Sequence, residues 1–185
     1  MSEPIQTTPI QTTPIQVTEV ELLATSRFRV VEQRVRRPDG STASCSTVRH
    51  PGAVVILPMV TVDQVCLIRS TRLTVGRTIL ELPAGTREPN ESPLETARRE
   101  LEEETGYRAA QLEPLAEFFT SPGILDERMY AFVATELTPG PPRREPNEQI
   151  ENLVVSWNAA MDMVSRGEIE DAKSLVSLLM YARQR

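Results

Sequence analysis

The sequence predicts a mixed α/β fold, in which helices pack against a mixed β-sheet that follows a small N-terminal β-sheet unit. Three observations predict this class. Short β-branched runs recur along the chain, a clearly capped helix begins near residue 92, and two amphipathic helical segments close the sequence. With 185 residues, of which 39% are hydrophobic, the chain is long enough to bury one ordinary core.

The N-terminal part of the chain is expected to form two segments. Residues 1–20 are predicted to be a flexible low-complexity tail, because a Pro-Ile-Gln repeat places a proline at every fifth position and so prevents a helix or a central strand. Residues 21–52 are predicted to form a β-hairpin unit. Phe28–Val35 and Ser41–Val48 roughly alternate between apolar and polar residues, and the Pro-Asp-Gly between them favours a turn.

Residues 53–185 are predicted to form the main domain. Apolar, β-branched runs predict six strands, and 3.6-residue periodicity predicts two closing helices on either side of Gly167. A long loop with four prolines precedes the last strand, and long loops usually carry function or disorder. The predicted strands are Ala53–Val60, Gln64–Arg69, Thr78–Leu82, Leu115–Thr120, Arg128–Thr135 and Asn152–Trp157, and the helices are Asn158–Arg166 and Asp171–Ala182.

The clearest local signal marks a helix from Ser92 to Thr105. Ser92 at the N-cap, Pro93 at the first helical position and Glu95 at the third form a capping box. Gly106 follows the last turn and is predicted to end the helix in the left-handed conformation.

Acidic residues crowd the last turns of this helix. At ~100° per residue, Glu100 and Glu104 fall near each other on the core side, whereas Glu102 points away. Glu103 lies on the solvent side, where an i,i+4 pair with Arg99 is expected. Carboxylates this close repel one another, and a hard divalent cation such as Mg²⁺ supplies the counter-charge that they need. The alternative is a solvated acidic face, the usual meaning of a charge run.

Composition excludes several classes of function. The net charge of -6 argues against a protein held to nucleic-acid polymers by bulk positive charge. No apolar run is long enough to span a bilayer, and the N-terminus lacks a signal-peptide pattern, so a cytoplasmic protein is expected. Cys45 and Cys66 have no CxxC spacing and no histidine cluster, which predicts reduced packing residues rather than a disulfide, a metal site or a nucleophile.

A longer motif surrounds the acidic helix. Gly85, Glu91 and the run Arg99–Tyr107 match the Nudix box, G-x5-E-x7-R-E-U-x-E-E-x-G-U, at every fixed position. In this motif U is an aliphatic or bulky apolar residue. The sequence therefore resembles the Nudix hydrolases, metal-dependent enzymes that cleave nucleoside diphosphates linked to another moiety. The resemblance implies an α/β/α sandwich, and a loop–helix unit in which Gly85 permits the loop and Glu91 and Arg99 brace it.

The same resemblance assigns the metal ligands. Glu100 and Glu104 would bind Mg²⁺, with Mn²⁺ as a substitute, and Glu103 would be a further ligand or a stabiliser. Glu81-Leu82-Pro83-Ala84-Gly85 resembles the E-L-P-A-G entry of ADP-ribose pyrophosphatases, in which the carbonyl of the alanine, here Ala84, also binds metal.

Other residues resemble parts of that subfamily's substrate site. Arg72 stands where the family has a phosphate-binding arginine, although the preceding Gln and Tyr are replaced. Pro122 and Gly123 belong to an S-P-G-x-x-x-E stretch that ends in Glu127, a candidate catalytic residue together with Glu103. The alternative for both Arg72 and Glu127 is a surface charge without a role in the site.

Two further positions complete the predicted site. Glu148, in Asn147-Glu148-Gln149-Ile150, matches an acid of the family's D-E-x-E-x-I segment and would be the catalytic base, although Pro146 replaces one acidic position. Its alternative is a solvent-exposed loop acid. Phe28 is the candidate for stacking on the nucleobase, with a core role as the alternative.

The resemblance implies Mg²⁺-dependent hydrolysis of a nucleoside diphosphate sugar, foremost ADP-ribose to AMP and ribose 5-phosphate. GDP-mannose or UDP-glucose hydrolysis and a catalytically silent nucleotide-binding module are the alternatives. A homodimer formed through the N-terminal sheet is expected, with no nucleic-acid or membrane partner. The segment Gly167–Ser174 resembles the family's closing-helix entry and is expected to be structural only.

Overall fold

The computed structural model of the protein describes residues 16–37, 39–144, 146 and 148–185. Within these residues, most of the strands and helices that the sequence predicts are present. The strands are β1 Gln16–Ala24, β2 Arg29–Arg36, β3 Thr42–Arg49, β4 Ala53–Thr61, β5 Gln64–Arg72, β6 Arg77–Glu81, β7 Ala84–Thr86, β8 Arg108–Phe119, β9 Arg128–Thr138 and β10 Ile150–Ser156, and the α-helices are α1 Pro93–Glu100, α2 Trp157–Ser165 and α3 Ala172–Ala182.

The first compact unit, which ends at Arg49, contains an antiparallel sheet of order β1-β2-β3. The predicted hairpin strands are confirmed as β2 and β3, paired from Arg29↔Arg49 to Arg36↔Thr42. The predicted end of the tail at residue 20 is wrong, because residues 16–20 belong to β1. The proline repeat ends before residue 16, so every residue of β1 keeps an N–H for the ladder. The rest of the predicted tail, residues 1–15, lies outside the described residues.

The second compact unit spans His50–Arg185 and contains a mixed sheet. Its strand order is β10-β5-β4-β9-β8, with β6 paired to β5 and β7 paired to β4. Strands β4 and β9 run parallel, whereas the other pairs are antiparallel. In the described part of the chain, no helix is long and apolar enough to cross a membrane.

Helices cover both faces of this sheet. Side chains alternate between the two faces of a strand, so Val55 and Leu57 of β4 pack with Leu178 of α3, while Val54 and Ile56 face the other way. The second face packs against Ala97 and Leu101 of the acidic helix. Full burial of one such side chain stabilises the fold by about 1.5–3 kcal/mol. The predicted mixed α/β class, with helices on both faces of a mixed sheet, is confirmed.

Two strands of the mixed sheet differ most from the prediction. Strand β8 begins at Arg108 rather than Leu115, and its pairing with β9 shifts register between Pro114 and Ala116. Pro114 removes a ladder hydrogen bond, which breaks the local strand signal but is tolerated at a bulge. Strand β7 has only three residues, too few for a periodic pattern, and owes its existence to pairing with β4.

Candidate active site

The acidic helix ends in an unusual turn. Helix α1 ends at Glu100, and Leu101–Thr105 continues as a π-helical segment. The prediction of one regular α-helix as far as Thr105 is therefore wrong. The wider turn is held from outside the helix, because the carbonyls of Glu103 and Glu104 accept hydrogen bonds from the Arg143 backbone N (2.9 Å) and Arg144 Nε (2.9 Å). Single π-helical turns occur frequently at functional sites.

Both ends of the helical unit behave as the sequence predicts. Ser92 and Glu95 form the reciprocal capping box. Gly106 ends the π-helical segment in the left-handed region, with φ 79°. A Cβ at Gly106 would overlap the carbonyl oxygen of Gly140, so the position needs glycine both for its backbone angle and for close approach of the proline-containing loop.

Arg99 ties the loop before the helix to the acidic cluster. Its Nε and Nη2 both bind the Glu91 carboxylate at 3.0 Å, and Nη2 also donates to the Thr86 carbonyl (3.3 Å). The hydrogen bonds from Arg99 lower the pKa of Glu91 to about 2. On its other side, Nη1 donates to Glu100 (2.7 Å) and to Glu103 (3.0 Å), which confirms the expected i,i+4 pair.

Glu100 and Glu104 lie against strand β7. The carboxyl group of Glu100 occupies the space in which a Cβ of residue 85 would stand, so Gly85 is required for this approach. Glu104 is 3% exposed, and its Oε2 accepts a hydrogen bond from the Ala84 backbone N (2.9 Å). Glu102 points the other way and binds Arg108, as its angle on the helix predicts.

Burial acts on the same two carboxyl groups. It raises the pKa of Glu104 to about 8 and the pKa of Glu100 to about 7. The negative charge of Glu148 contributes to both rises, so the predicted catalytic base lies within electrostatic reach of both carboxyl groups. The charge of Arg99 and its hydrogen bond lower the pKa of Glu100, but by less than burial raises it.

These raised pKa values predict how the metal-free protein responds to pH. The pKa of Glu104 rises from 4.5 to about 8 on folding, so the folded state holds a proton that the unfolded state releases. The resulting stability is fully present below pH 4.5 and is lost as the pH rises through about 8. Between about pH 6 and pH 9 we expect the free energy of unfolding in EDTA to fall by on the order of 2 kcal/mol.

Urea denaturation across this pH range tests the expectation. Glu104→Gln carries no titrating proton at this position, so its stability should depend less steeply on pH. Equal slopes in the two proteins would contradict the assignment.

Arg72 is a cation within electrostatic reach of Glu104. The guanidinium is half-buried at the end of β5, where Nε donates to Glu81 Oε1 (2.7 Å). Burial opposes the charge, but Glu81, Glu104 and Asp171 outweigh it and raise the pKa of Arg72 above its ordinary value. The positive charge of Arg72 is therefore permanent, as a phosphate-binding residue requires.

The remaining predicted residues lie elsewhere. Glu127 accepts a hydrogen bond from Thr120 Oγ1 (2.6 Å), and its Oε1 lies 3.5 Å from His50 Nδ1. Pro122 and Gly123 occupy an exposed turn. Phe28 belongs to the N-terminal unit, where it is 37% exposed rather than part of a core.

The prediction missed a second set of residues around the site. Glu81 is fully buried between Arg72 and Lys173, although the segment that contains Lys173 is expected from the sequence to be structural only. Arg144 and Asn152 bind the carbonyls of Glu104 and Thr105, and thereby attach the proline-containing loop to the helix end. In the sequence, Glu81 is marked by the E-L-P-A-G motif and Lys173 by being the one lysine, but neither signal indicates that the two residues meet.

The donor set fits a hard divalent cation. The carboxyl groups of Glu100 and Glu104 are largely withdrawn from water, and Glu103 is bound to the same Arg99 nitrogen as Glu100. Mg²⁺ prefers such oxygen ligands. Among the described residues, no three acidic, histidine or cysteine side chains are grouped closely enough to hold a metal ion by themselves. Glu100 and Glu103 are instead bound to Arg99, which offsets part of their repulsion.

Comparison with known proteins agrees with this geometry. Residues 48–178 match the model of the NUDIX domain. The chain belongs to the Nudix family. Among its relatives is the ADP-ribose pyrophosphatase of Bacillus subtilis (strain 168), 38% identical over 146 residues that cover 78% of this chain and 79% of the relative. Another is the methanol dehydrogenase activator of Bacillus methanolicus, 34% identical with the same coverage.

A solved structure has a similar fold. The crystal structure described as an ADP compounds hydrolase matches with a TM-score of 0.79, over 99% of this chain and 96% of that one. Its sequence identity is 21%, so the likeness concerns the fold.

Proposed function

We propose that this Nudix hydrolase cleaves the pyrophosphate bond of a nucleoside diphosphate sugar with Mg²⁺, and that it converts ADP-ribose to AMP and ribose 5-phosphate. The observation that carries the proposal is the pair of buried carboxyl groups of Glu100 and Glu104. They lie against β7, with Arg72 and Glu148 within electrostatic reach. The similarity to the B. subtilis ADP-ribose pyrophosphatase supports this substrate.

Each residue has a defined task in this proposal. Glu100, Glu104 and the Ala84 carbonyl would hold the metal, with Glu103 as a further ligand or as a stabiliser through Arg99. A bound cation lowers the pKa of water and neutralises charge on the phosphoryl oxygens. Arg72 binds a phosphate, and Glu148 accepts the proton of the attacking water.

The residues outside the acidic cluster have proposed roles on the substrate side. Pro122 and Gly123 would contact the substrate from their exposed turn. Glu127, which accepts a hydrogen bond from Thr120, would act as a further catalytic residue near this turn. Phe28 would stack on the base.

A substrate panel with product identification tests the activity. Purified protein with Mg²⁺ is incubated with ADP-ribose, GDP-mannose and UDP-glucose, and the products are separated by chromatography. We expect AMP and ribose 5-phosphate from ADP-ribose, with Mn²⁺ replacing Mg²⁺. A panel that stays intact would refute the proposal, and tight nucleotide binding in calorimetry without product would favour a silent binding module.

Glu148→Gln tests the proposed base. Loss of a positioned general base lowers rates by about 10²–10⁴-fold, so we expect kcat to fall by about that factor. The matched control is Glu151→Gln, which changes an exposed acid of β10 that pairs with Arg69 and should retain normal kcat. If Glu148→Gln kept kcat within twofold of the unmodified protein, another group would have to accept the proton.

The same proposal includes a homodimer in the cytoplasm. Exposed apolar side chains on the N-terminal sheet support pairing of two copies through it, among them Val17, Val20, Leu22 and Leu23. The free thiols of Cys45 and Cys66 suit a reducing compartment. Light scattering coupled to size exclusion tests the dimer, and a mass of about 21 kDa would contradict it.

A further inference from the structure

A buried chain of charges joins the last helix to the phosphate-binding side of the site. Glu81 is fully buried, and its two oxygens bind different cations. Oε1 accepts from Arg72 Nε at 2.7 Å, and Oε2 accepts from Lys173 Nζ, also at 2.7 Å. Lys173 in turn contacts Asp171 Oδ1 at 2.9 Å. The single lysine of the protein thus binds the same buried carboxylate as Arg72, through the other oxygen.

The position of Lys173 is fixed by the start of α3. Asp171 caps this helix and accepts hydrogen bonds from the backbone N and Oγ of Ser174. The buried Ser174 Oγ accepts a further bond from the backbone N of Leu82, the residue after Glu81. Two adjacent residues of α3 therefore hold two adjacent residues that lead into β7. A lysine held in this way has little freedom to leave Glu81.

This arrangement decides which atoms of Arg72 remain available. Arg72 uses Nε for Glu81, and within the described residues its two Nη groups donate no hydrogen bond. Its side chain is 39% exposed, so the Nη groups are open to a ligand. Without Lys173, Glu81 Oε2 would be buried without a cation, and Arg72 is the neighbour that can turn to bind both oxygens. A fork-like, two-bond pair with a carboxylate is the geometry that arginine favours.

We propose that Lys173 is a positioning residue for the pyrophosphate: by occupying Glu81 Oε2, it limits Arg72 to one bond and leaves both Nη groups for phosphoryl oxygens. This inference rests on the proposed function, because it requires a phosphate ligand at Arg72. It extends that function to a helix that the resemblance treats as scaffold.

A double-mutant cycle on ligand binding tests the proposal. The probe is the α,β-methylene analogue of ADP-ribose, whose P–C–P bridge is not hydrolysed, measured by calorimetry in EDTA and again in Mg²⁺. Hydrogen bonds to charged groups are typically worth a tenfold or larger change in affinity. We therefore expect Lys173→Met to raise Kd at least about tenfold, and Arg72→Met to do the same. In the Arg72→Met background, Lys173→Met should change Kd by less than about twofold.

Control variants separate positioning from folding. Lys173→Arg keeps a cation at Glu81 and should retain most of the affinity. If Lys173→Met does not fold, as judged by circular dichroism, Lys173→Gln is measured in the same cycle. A purely structural lysine would lower the melting temperature and leave Kd unchanged, or would weaken binding equally with and without Arg72, and either result would overturn the inference.

The cycle also distinguishes the inference from the function beneath it. If the unmodified protein did not bind the analogue, both the proposed function and the role of Lys173 would be refuted. Normal binding that Arg72→Met weakens and Lys173→Met does not would remove only the role of Lys173.

Discussion

Glu104→Gln is expected to lower kcat/KM for the nucleotide sugar by about a thousandfold or more. Metal stabilisation of charge on the reacting oxygens is worth several kcal/mol, and about 4 kcal/mol corresponds to this factor. Glu104 is the more deeply buried of the two acidic residues that lie against β7. An amide cannot supply the negative charge that a bound cation requires. Steady-state kinetics in Mg²⁺, with Mg²⁺ affinity measured by calorimetry, checks this.

The fold should survive this substitution. Glutamine has the size of glutamate, and its carbonyl oxygen can still accept the hydrogen bond from the Ala84 backbone N. The buried site loses a charge rather than a contact, so the metal-free protein should be no less stable at pH 8. A matched control is Glu102→Gln, two residues away, because Glu102 faces Arg108 instead of the cluster. We expect that variant to keep kcat/KM within about threefold.

Two results would contradict the role of Glu104. Retained activity in Glu104→Gln would show that the metal is held elsewhere. An equal loss in Glu102→Gln would show that the acidic segment acts only through its total charge.

Gly85→Ala is expected to lower kcat/KM by about a hundredfold with little loss of stability. The new methyl group would stand where the Glu100 carboxyl group lies. The displaced atoms are the far end of a flexible side chain, so the fold can yield at a cost of about 1 kcal/mol or less. Catalysis is less tolerant, because a displacement of about 1 Å in a reacting constellation can cost about a hundredfold in rate.

Gly106→Ala is the matched comparison for Gly85→Ala. At Gly106 the added methyl group meets the backbone of Gly140, which cannot move aside, and φ is 79°. We expect this variant to lose about 2–4 kcal/mol of stability. Thermal melts and kinetics on both variants give the check. A Gly85→Ala protein that is destabilised as much as Gly106→Ala, or that is fully active, would contradict the argument.

Much of the fold was predictable because its signals are local. The capping box at Ser92 and Glu95 begins the helix where predicted, and the alternation in β2 and β3 predicts their hairpin. Strand β7 and the first half of β8 were missed, since the first is three residues long and the second contains Pro114. Both depend on pairing partners far along the chain, which no local pattern reveals.

The candidate site also contains contacts that local spacing predicts and contacts that only the fold brings about. The i,i+4 spacing predicted the contact between Arg99 and Glu103, because spacing along a helix sets distance. The chain from Arg72 through Glu81 to Lys173 joins residues up to 101 positions apart, and only folding brings them together. The sequence therefore indicates Arg72 but not its ion pair with Glu81 or the support from Lys173.

By itself, the sequence determined the chemistry of this protein: which acids, which arginines and which glycines are present, and at what spacing along one helix. Tertiary structure alone decided how those groups are charged and held. Burial raises the pKa values of Glu100 and Glu104, the proline-containing loop binds the helix end, and α3 supports Glu81. The reason is that residue type and local spacing are properties of neighbours in the chain, whereas desolvation and ion pairing depend on groups that become neighbours only in the fold.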